Sequence, residues 1–156
     1  MLTIEKEGKS KVLRTMSVPL KKSEIKKYAK LWKEMVKYIK NPVNRWVWLA
    51  APQVGYNIRM VVVSLLKTRD DEDFSTVLMI NPEILEHGEE TEEENEGCLS
   101  VDGVNGVVER TKSIKLQYWD EKWNTKTLRL SWVSARIVQH EIDHIDGVLF
   151  IDKVKK

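Results

Sequence analysis

Cysteine is nearly absent from this chain: Cys98 is the only one in 156 residues. A lone cysteine forms no internal disulfide, which suits a reducing compartment and leaves the fold to its core. No apolar run approaches the ~18 residues of a membrane span. The N-terminus, Met1-Leu2-Thr3-Ile4-Glu5-Lys6, has no signal-peptide pattern. The net charge of +2 is too small to argue for nucleic acid. These absences speak against a disulfide scaffold, a membrane protein and a nucleic-acid binder, and they lead us to expect a cytoplasmic location. With 42% hydrophobic and 32% charged residues, the chain reads as a soluble globular domain. No repeat or linker divides it, so a single domain over 1–156 is expected. Glycine is scarce too, at seven residues against a usual ~7%, whereas six tryptophans are many for this length.

What is present reads as α+β. Ser23 can cap a helix running to about Lys40, with Ile25, Tyr28, Leu31, Trp32, Met35, Val36 and Ile39 at helical spacing. Arg59–Leu65 is rich in β-branched residues and reads as a strand. Lys67–Phe74 is a charged turn, and Thr76–Ile80 is a strand ended by Asn81-Pro82. Glu86–Glu96 holds seven glutamates and is expected as an exposed hairpin or loop. Val107–Arg110, Ser113–Tyr118 and Thr127–Leu130 are further strands. A helix from about Val133 to His144 follows, ended by Gly147, and Val148–Ile151 closes the fold. Strands precede a single late helix, so the expected class is α+β: mostly antiparallel sheets around a C-terminal helix, with one N-terminal helix.

That late helix carries Gln139-His140-Glu141-Ile142-Asp143-His144. Residues four apart share a helix face, so His140 and His144 can grip one ion together, with Glu141 beside it to handle the proton of a water. The bland alternative is a solvated helix whose charges fall this way by chance. A catalytic site of this kind usually has a third protein ligand. Downstream of His144 only Asp146 and Asp152 offer oxygens, and Asp146 is too near in the chain to swing round easily. Upstream, Cys98 lies in Glu96-Gly97-Cys98-Leu99-Ser100, an irregular segment beside a glycine. A lone cysteine is more often a buried hydrophobe, but beside an incomplete His-Glu-x-x-His it is the stronger candidate. Small residues in Leu49-Ala50-Ala51-Pro52-Gln53-Val54-Gly55 allow close backbone approach, and the Gln53 amide can stabilise an oxyanion.

These three segments, in this order, resemble the motifs of the peptide deformylase family. Glu96–Ser100 and Gln139–His144 are intact, and the Ala-Ala-Pro-Gln part of the first motif stands at 50–53. The resemblance covers nearly the whole chain. It implies a hydrolase that removes the formyl group from N-terminal formyl-methionine of nascent polypeptides. It implies one divalent metal, Fe²⁺ natively in many members with Ni²⁺, Co²⁺ or Zn²⁺ as substitutes, held by Cys98, His140 and His144. By the same resemblance Glu141 is the general acid/base, and the Gln53 amide and Leu99 N–H stabilise the oxyanion. Val47, Trp48, Gly97, Val133, Arg136 and Ile137 fall at substrate-binding positions, and Glu96 and Arg110 form an ion pair beneath Cys98. Asp102 stands where many members have Pro, and Asn105 where many have Arg. Members often continue into a C-terminal helix that docks on the ribosome. Here Lys153-Val154-Lys155-Lys156 follows instead, so only transient ribosome proximity is expected.

The departures follow a pattern. Trp46, Trp48, Trp123 and Trp132 stand where the family has glycine. Restoring glycine there would make eleven glycines and leave two tryptophans, both ordinary counts for this length. One reading is a gene translated with the wrong table, since UGA encodes glycine in some lineages and tryptophan in others; the four codons decide it. The rival is a true Trp-bearing chain with a remodelled site. Three functions are thus in play: a metal-dependent deformylase, a metallopeptidase using a downstream ligand, and a silent relative whose Trp-filled cleft binds only peptide or metal.

Overall fold

The computed structural model describes residues 1–44, 48–65 and 75–156. Two short 3-10 turns, Lys22–Glu24 and Lys26–Tyr28, lead into helix α1 (Ala29–Lys40). Ser23 therefore lies inside the first turn rather than capping a continuous helix, and the α-helix begins at Ala29. Among the described residues seven strands follow: β1 (Trp48–Ala50), β2 (Met60–Leu65), β3 (Ser75–His87), β4 (Thr91–Cys98), β5 (Val101–Thr111), β6 (Ser113–Trp119) and β7 (Thr125–Ser131). Helix α2 (Trp132–Ile145) comes last, before a 3-10 turn at Phe150–Asp152. The expected α+β class, antiparallel and with one helix near each end, is what is observed.

Five strands form an antiparallel sheet in the order β1-β2-β3-β6-β7, and β4 and β5 pair as a separate ribbon. Every residue of β2 is buried, because both faces of this interior strand are covered. Val61, Val63 and Leu65 pack with Ala135, Val138, Ile142 and Ile145 of α2. Met60 and Val62, pointing the other way by the two-residue period of a strand, pack with Leu31, Met35 and Ile39 of α1. A third cluster joins Cys98, Val101 and Val108 of the ribbon region to Leu149 and Phe150. Helix α2 thus lies between the large sheet and the ribbon, which is why most of its residues are buried, polar ones included.

Three further expectations need correction. The strand expected to end at Ile80 runs on to His87 through Asn81-Pro82. It does so at an irregularity in its pairing with β6, where Asn81 turns to φ 49° and its side chain bonds both the N–H and the carbonyl of Leu20. The Glu86–Glu96 segment is not merely an exposed connection: it includes the end of β3 and most of β4, and Glu96 is buried. The Arg59–Leu65 strand begins at Met60, and Arg59 instead donates to the Ile145 carbonyl and pairs with Asp146, where a cation complements the α2 C-terminus. The charged turn read at Lys67–Phe74 lies outside the described residues, as do Trp46 and Val47.

Candidate active site

Helix α2 brings His140 and His144 onto one face, their rings 5.0 Å apart. Cys98, at the end of β4, reaches them from the ribbon: its Sγ lies 3.3 Å from His144 Nε2. One ligand atom from each of Cys98, His140 and His144 lies within 4.8 Å of the other two, and all three residues are buried. Bonds of 2.0–2.3 Å to a tetrahedral ion put neighbouring ligand atoms roughly 3.3–3.8 Å apart, so the Cys98–His144 spacing is that of two ligands of one ion and the third atom lies within reach of the same position. Asp146 and Asp152, the downstream alternatives, are engaged elsewhere, with Arg59 and Arg14.

Buried polar atoms here are left without partners. His140 Nε2 and both carboxylate oxygens of Glu141 make no hydrogen bond among the described residues, although Glu141 is wholly buried. Orphaned atoms of this kind are costly in a dry interior and mark a place where something else binds. Burial drives the Glu141 pKa well above the ordinary carboxylate range. Burial also depresses the His144 pKa strongly, with the charges of His140 and Arg110 adding to it, so His144 stays neutral and able to ligate. The Cys98 thiol is pushed up to about 12 by burial, against the backbone N–H of Ser100, which donates to its Sγ. A thiolate here calls for a cation beside it, and the donor set of one sulfur and two imidazole nitrogens suits a divalent transition metal. The residues fit such an ion.

Around this centre Gln53 is clamped in a defined orientation. Its Oε1 accepts from the Ala50 N–H at 2.9 Å, which turns Nε2 toward Cys98 Sγ at 3.5 Å and Ser100 Oγ at 3.3 Å. The 3-10 turn Ala51–Val54 buries Gln53 and ends at Gly55, whose φ of 91° needs a glycine. Leu99 follows Cys98, and its carbonyl accepts from Lys6 Nζ at 2.7 Å. The sequence gives no hint of that contact, since 93 residues separate the partners.

Glu96 holds the far side of the first histidine. Its Oε1 meets His140 Nδ1 at 2.9 Å, which directs Nε2 toward the centre. Arg110 grips the same carboxylate through Nε at 2.6 Å and a second guanidinium nitrogen at 2.9 Å, and Arg136 adds a third ion pair. The expected Glu96–Arg110 pair is therefore part of a larger buried network, which Arg110 extends to Asp143. Burial pushes the Glu96 pKa up, but the bonds and charges of Arg110 and His140 outweigh it and hold it well below the usual carboxylate range. Glu96→Ala removes the carboxylate shared by two guanidinium groups and an imidazole, leaving Arg110 with Asp143 and Arg136 with two backbone carbonyls, and we expect it to destabilise the fold by about 3 kcal/mol. The contribution is fully present above the ordinary glutamate pKa and is lost as pH falls through the depressed folded value. Urea unfolding at neutral pH checks this; a loss under about 1 kcal/mol contradicts it.

A cavity of about 500 Å³ opens beside His140. Trp48, Gly97, Val133, Arg136 and Ile137, five of the six sequence-read substrate positions, line it; Val47, the sixth, is outside the described residues. Arg136 contributes less than expected, because its guanidinium is spent on Glu96 and on the carbonyls of Val108 and Glu92. Trp132, Asn105 and Glu94 join the lining. A Cβ at Gly97 would stand 2.8 Å from Asn105 Oδ1, so the Asn105 side chain would have to shift to admit one.

Comparison with known proteins places this arrangement. The polypeptide deformylase family matches residues 1–156. The chain belongs to that family. A peptide deformylase of Chlorobaculum parvum is 44% identical over 110 residues, 70% of this chain and 58% of that protein. The chain thus spans somewhat more than half the length of such relatives. A probable peptide deformylase from Synechococcus phage S-SSM7 superposes with a TM-score of 0.85 at 37% identity, covering 98% of this chain and 99% of that one. A class I type b peptide deformylase of Acinetobacter baumannii, with Met-Ala-Ser bound, has a TM-score of 0.85 at 32% identity over 98% of each chain. Among the described residues no helix is long and apolar enough to cross a membrane.

Proposed function

We propose that this chain is a metal-dependent peptide deformylase acting on the N-formyl-methionyl end of nascent polypeptides. The carrying observation is a buried Cys98-His140-His144 group next to a wholly buried, partnerless Glu141 carboxylate. Cys98 and the two histidines hold one divalent ion, Fe²⁺ in the first place, with Ni²⁺, Co²⁺ or Zn²⁺ as substitutes. When bound, such an ion acidifies water into a nucleophile and polarises the carbonyl it attacks.

The protein's own groups do the rest. Glu141 accepts a proton on its carboxylate and returns it to the departing amine. The Gln53 amide, fixed by its bond to Ala50, and the Leu99 N–H donate to the oxygen that gains charge as the formyl carbon becomes tetrahedral. Val133 and Ile137 offer apolar walls to the methionine side chain. The peptide runs along β1, the outermost strand of its sheet among the described residues. Met-Ala-Ser bound to the Acinetobacter relative supports a peptide of this type as ligand.

A second reading is favoured by one observation: two tryptophans, Trp48 and Trp132, line the cavity. It makes the chain a relative that binds metal and peptide without turning it over. Release of formate from formyl-Met-Ala-Ser by the Fe²⁺- or Ni²⁺-loaded protein tests both. Turnover of the formyl peptide with acetyl-Met-Ala-Ser left intact is the expected result. Metal and peptide binding with no formate overturns it in favour of the second reading.

A further inference from the structure

We infer that residues 123 and 132 occupy backbone sites made for glycine, and that the indoles at 48 and 132 narrow the cavity and so determine what enters it. The second half rests on the deformylase reading; the first does not.

Among the described residues three that are not glycine have positive φ: Asn81 at 49°, Trp123 at 64° and Trp132 at 57°. Asparagine tolerates this region, and the Asn81 side chain gains two hydrogen bonds to Leu20 there. A bulky tryptophan has no such tolerance. At both sites the surrounding hydrogen bonds dictate the conformation. The β6–β7 turn is organised by Asp120, whose Oδ1 accepts from the N–H groups of Lys122 and Asn124, while the Trp123 N–H donates to the Asp120 carbonyl. Trp119 and Thr125 pair directly across the hairpin, so the chain must reverse in between, and hairpin loops of this kind place a left-handed glycine there. At residue 132 the chain leaves β7 and enters α2 at once. Ser131 still pairs with Ser113, and the Trp132 N–H donates to the Lys112 carbonyl at 2.8 Å. The strand-to-helix reversal falls on that one residue.

Trp48 has ordinary strand backbone, so its case is the cavity alone. Its indole lies 6.3 Å from the His140 ring and lines the same space as Trp132, Gly97 and Ile137. Lys112 Nζ stands 5.4 Å over the Trp132 ring, which holds that indole at the rim. Two of the largest side chains thus border the cavity next to His140.

The experiment separates backbone strain from lost packing. In the metal-loaded full chain, positions 123, 132 and 32 are each changed to alanine and to glycine, and melting temperatures are compared. Both substitutions remove the indole, so their difference reads the backbone. At 123 and 132 the glycine variant is expected to melt about 2–4 °C above the alanine variant. At Trp32, inside α1, the order reverses, because glycine weakens a helix. Alanine equal to or above glycine at 123 or 132 overturns the first half. For the second half, the Trp48→Gly/Trp132→Gly protein is expected to raise kcat/KM for formyl-Met-Ala-Ser at least tenfold, and Trp123→Gly to leave it unchanged. An unchanged value in the double variant overturns it. If no variant releases formate, the activity reading fails by itself, and the affinity for Met-Ala-Ser decides closure: a tenfold gain in the double variant supports it, and no gain overturns it.

Discussion

Glu141→Gln is expected to keep its metal and lose turnover by ~10²–10⁴-fold, the usual loss for a general acid/base. The variant should also fold at least as well as the parent, which separates this residue from a structural one. Glu141 is 0% exposed and neither carboxylate oxygen has a partner. His140 Nε2 stands 3.9 Å from Glu141 Oε1, beyond hydrogen-bond reach. A buried carboxylate with no partner is a burden on stability. Its folded-state pKa lies above the unfolded one, so in the metal-free protein the burden appears as pH rises above the ordinary glutamate value. The gain from Gln should accordingly be present at neutral pH and vanish near pH 4, below the ordinary value. Metal analysis, formate release and thermal melts at two pH values check the three parts. Near-normal turnover, or a melting temperature that drops at neutral pH, contradicts the assignment.

The same residues show what a sequence reveals and what it conceals. His140, Glu141 and His144 were readable because the α-helix converts spacing in the chain directly into one face. The β-branched run Val61-Val62-Val63 of β2 was readable because burial on both faces favours consecutive apolar residues, and Ser64 is the one polar residue in that strand. Glu96 was not: among six other glutamates it looks solvated, and its burial is made tolerable by Arg110, Arg136 and His140, which lie 14, 40 and 44 residues away. Lys6 and Leu99 meet for the same long-range reason. The strand β1 escaped because Leu-Ala at its end carries little strand propensity; pairing with Val61 and Val62 imposes it. Asn81-Pro82 read as a stop because proline cannot donate to a ladder, yet β3 passes through it at an irregularity where no donation is needed. Trp123 and Trp132 are the converse case. Their residue type contradicts the local backbone, and the long-range pairing of β6, β7 and α2 prevails over it.

Cys98→Ala is expected to abolish tight metal binding, weakening it by at least ~100-fold, while costing little in folding. Were Cys98 only a small buried hydrophobe, alanine would be a mild change and the metal would remain. The geometry argues otherwise. Cys98 Sγ lies 3.3 Å from His144 Nε2 and receives the Gln53 Nε2–H and the Ser100 N–H, so donors converge on the sulfur. They do not suffice to ionise it, since burial holds the thiol up at about 12. Ligation through the sulfur must therefore displace the Cys98 proton at neutral pH, whereas His144 is already neutral and needs to lose none; the Cys98→Ala comparison separates that proton from any that Glu141 gives up. Calorimetric titration of the apo-protein with Ni²⁺ in two buffers of different ionisation enthalpy counts that proton. We expect about one released per ion in the parent, consistent with a single thiol ligand. Cys98→Ala should neither bind at comparable concentration nor release it, and His144→Ala should lose affinity while any residual binding still releases the proton. Tight Ni²⁺ binding by Cys98→Ala would remove the sulfur from the ligand set and return the search for a third ligand to the oxygens downstream of His144.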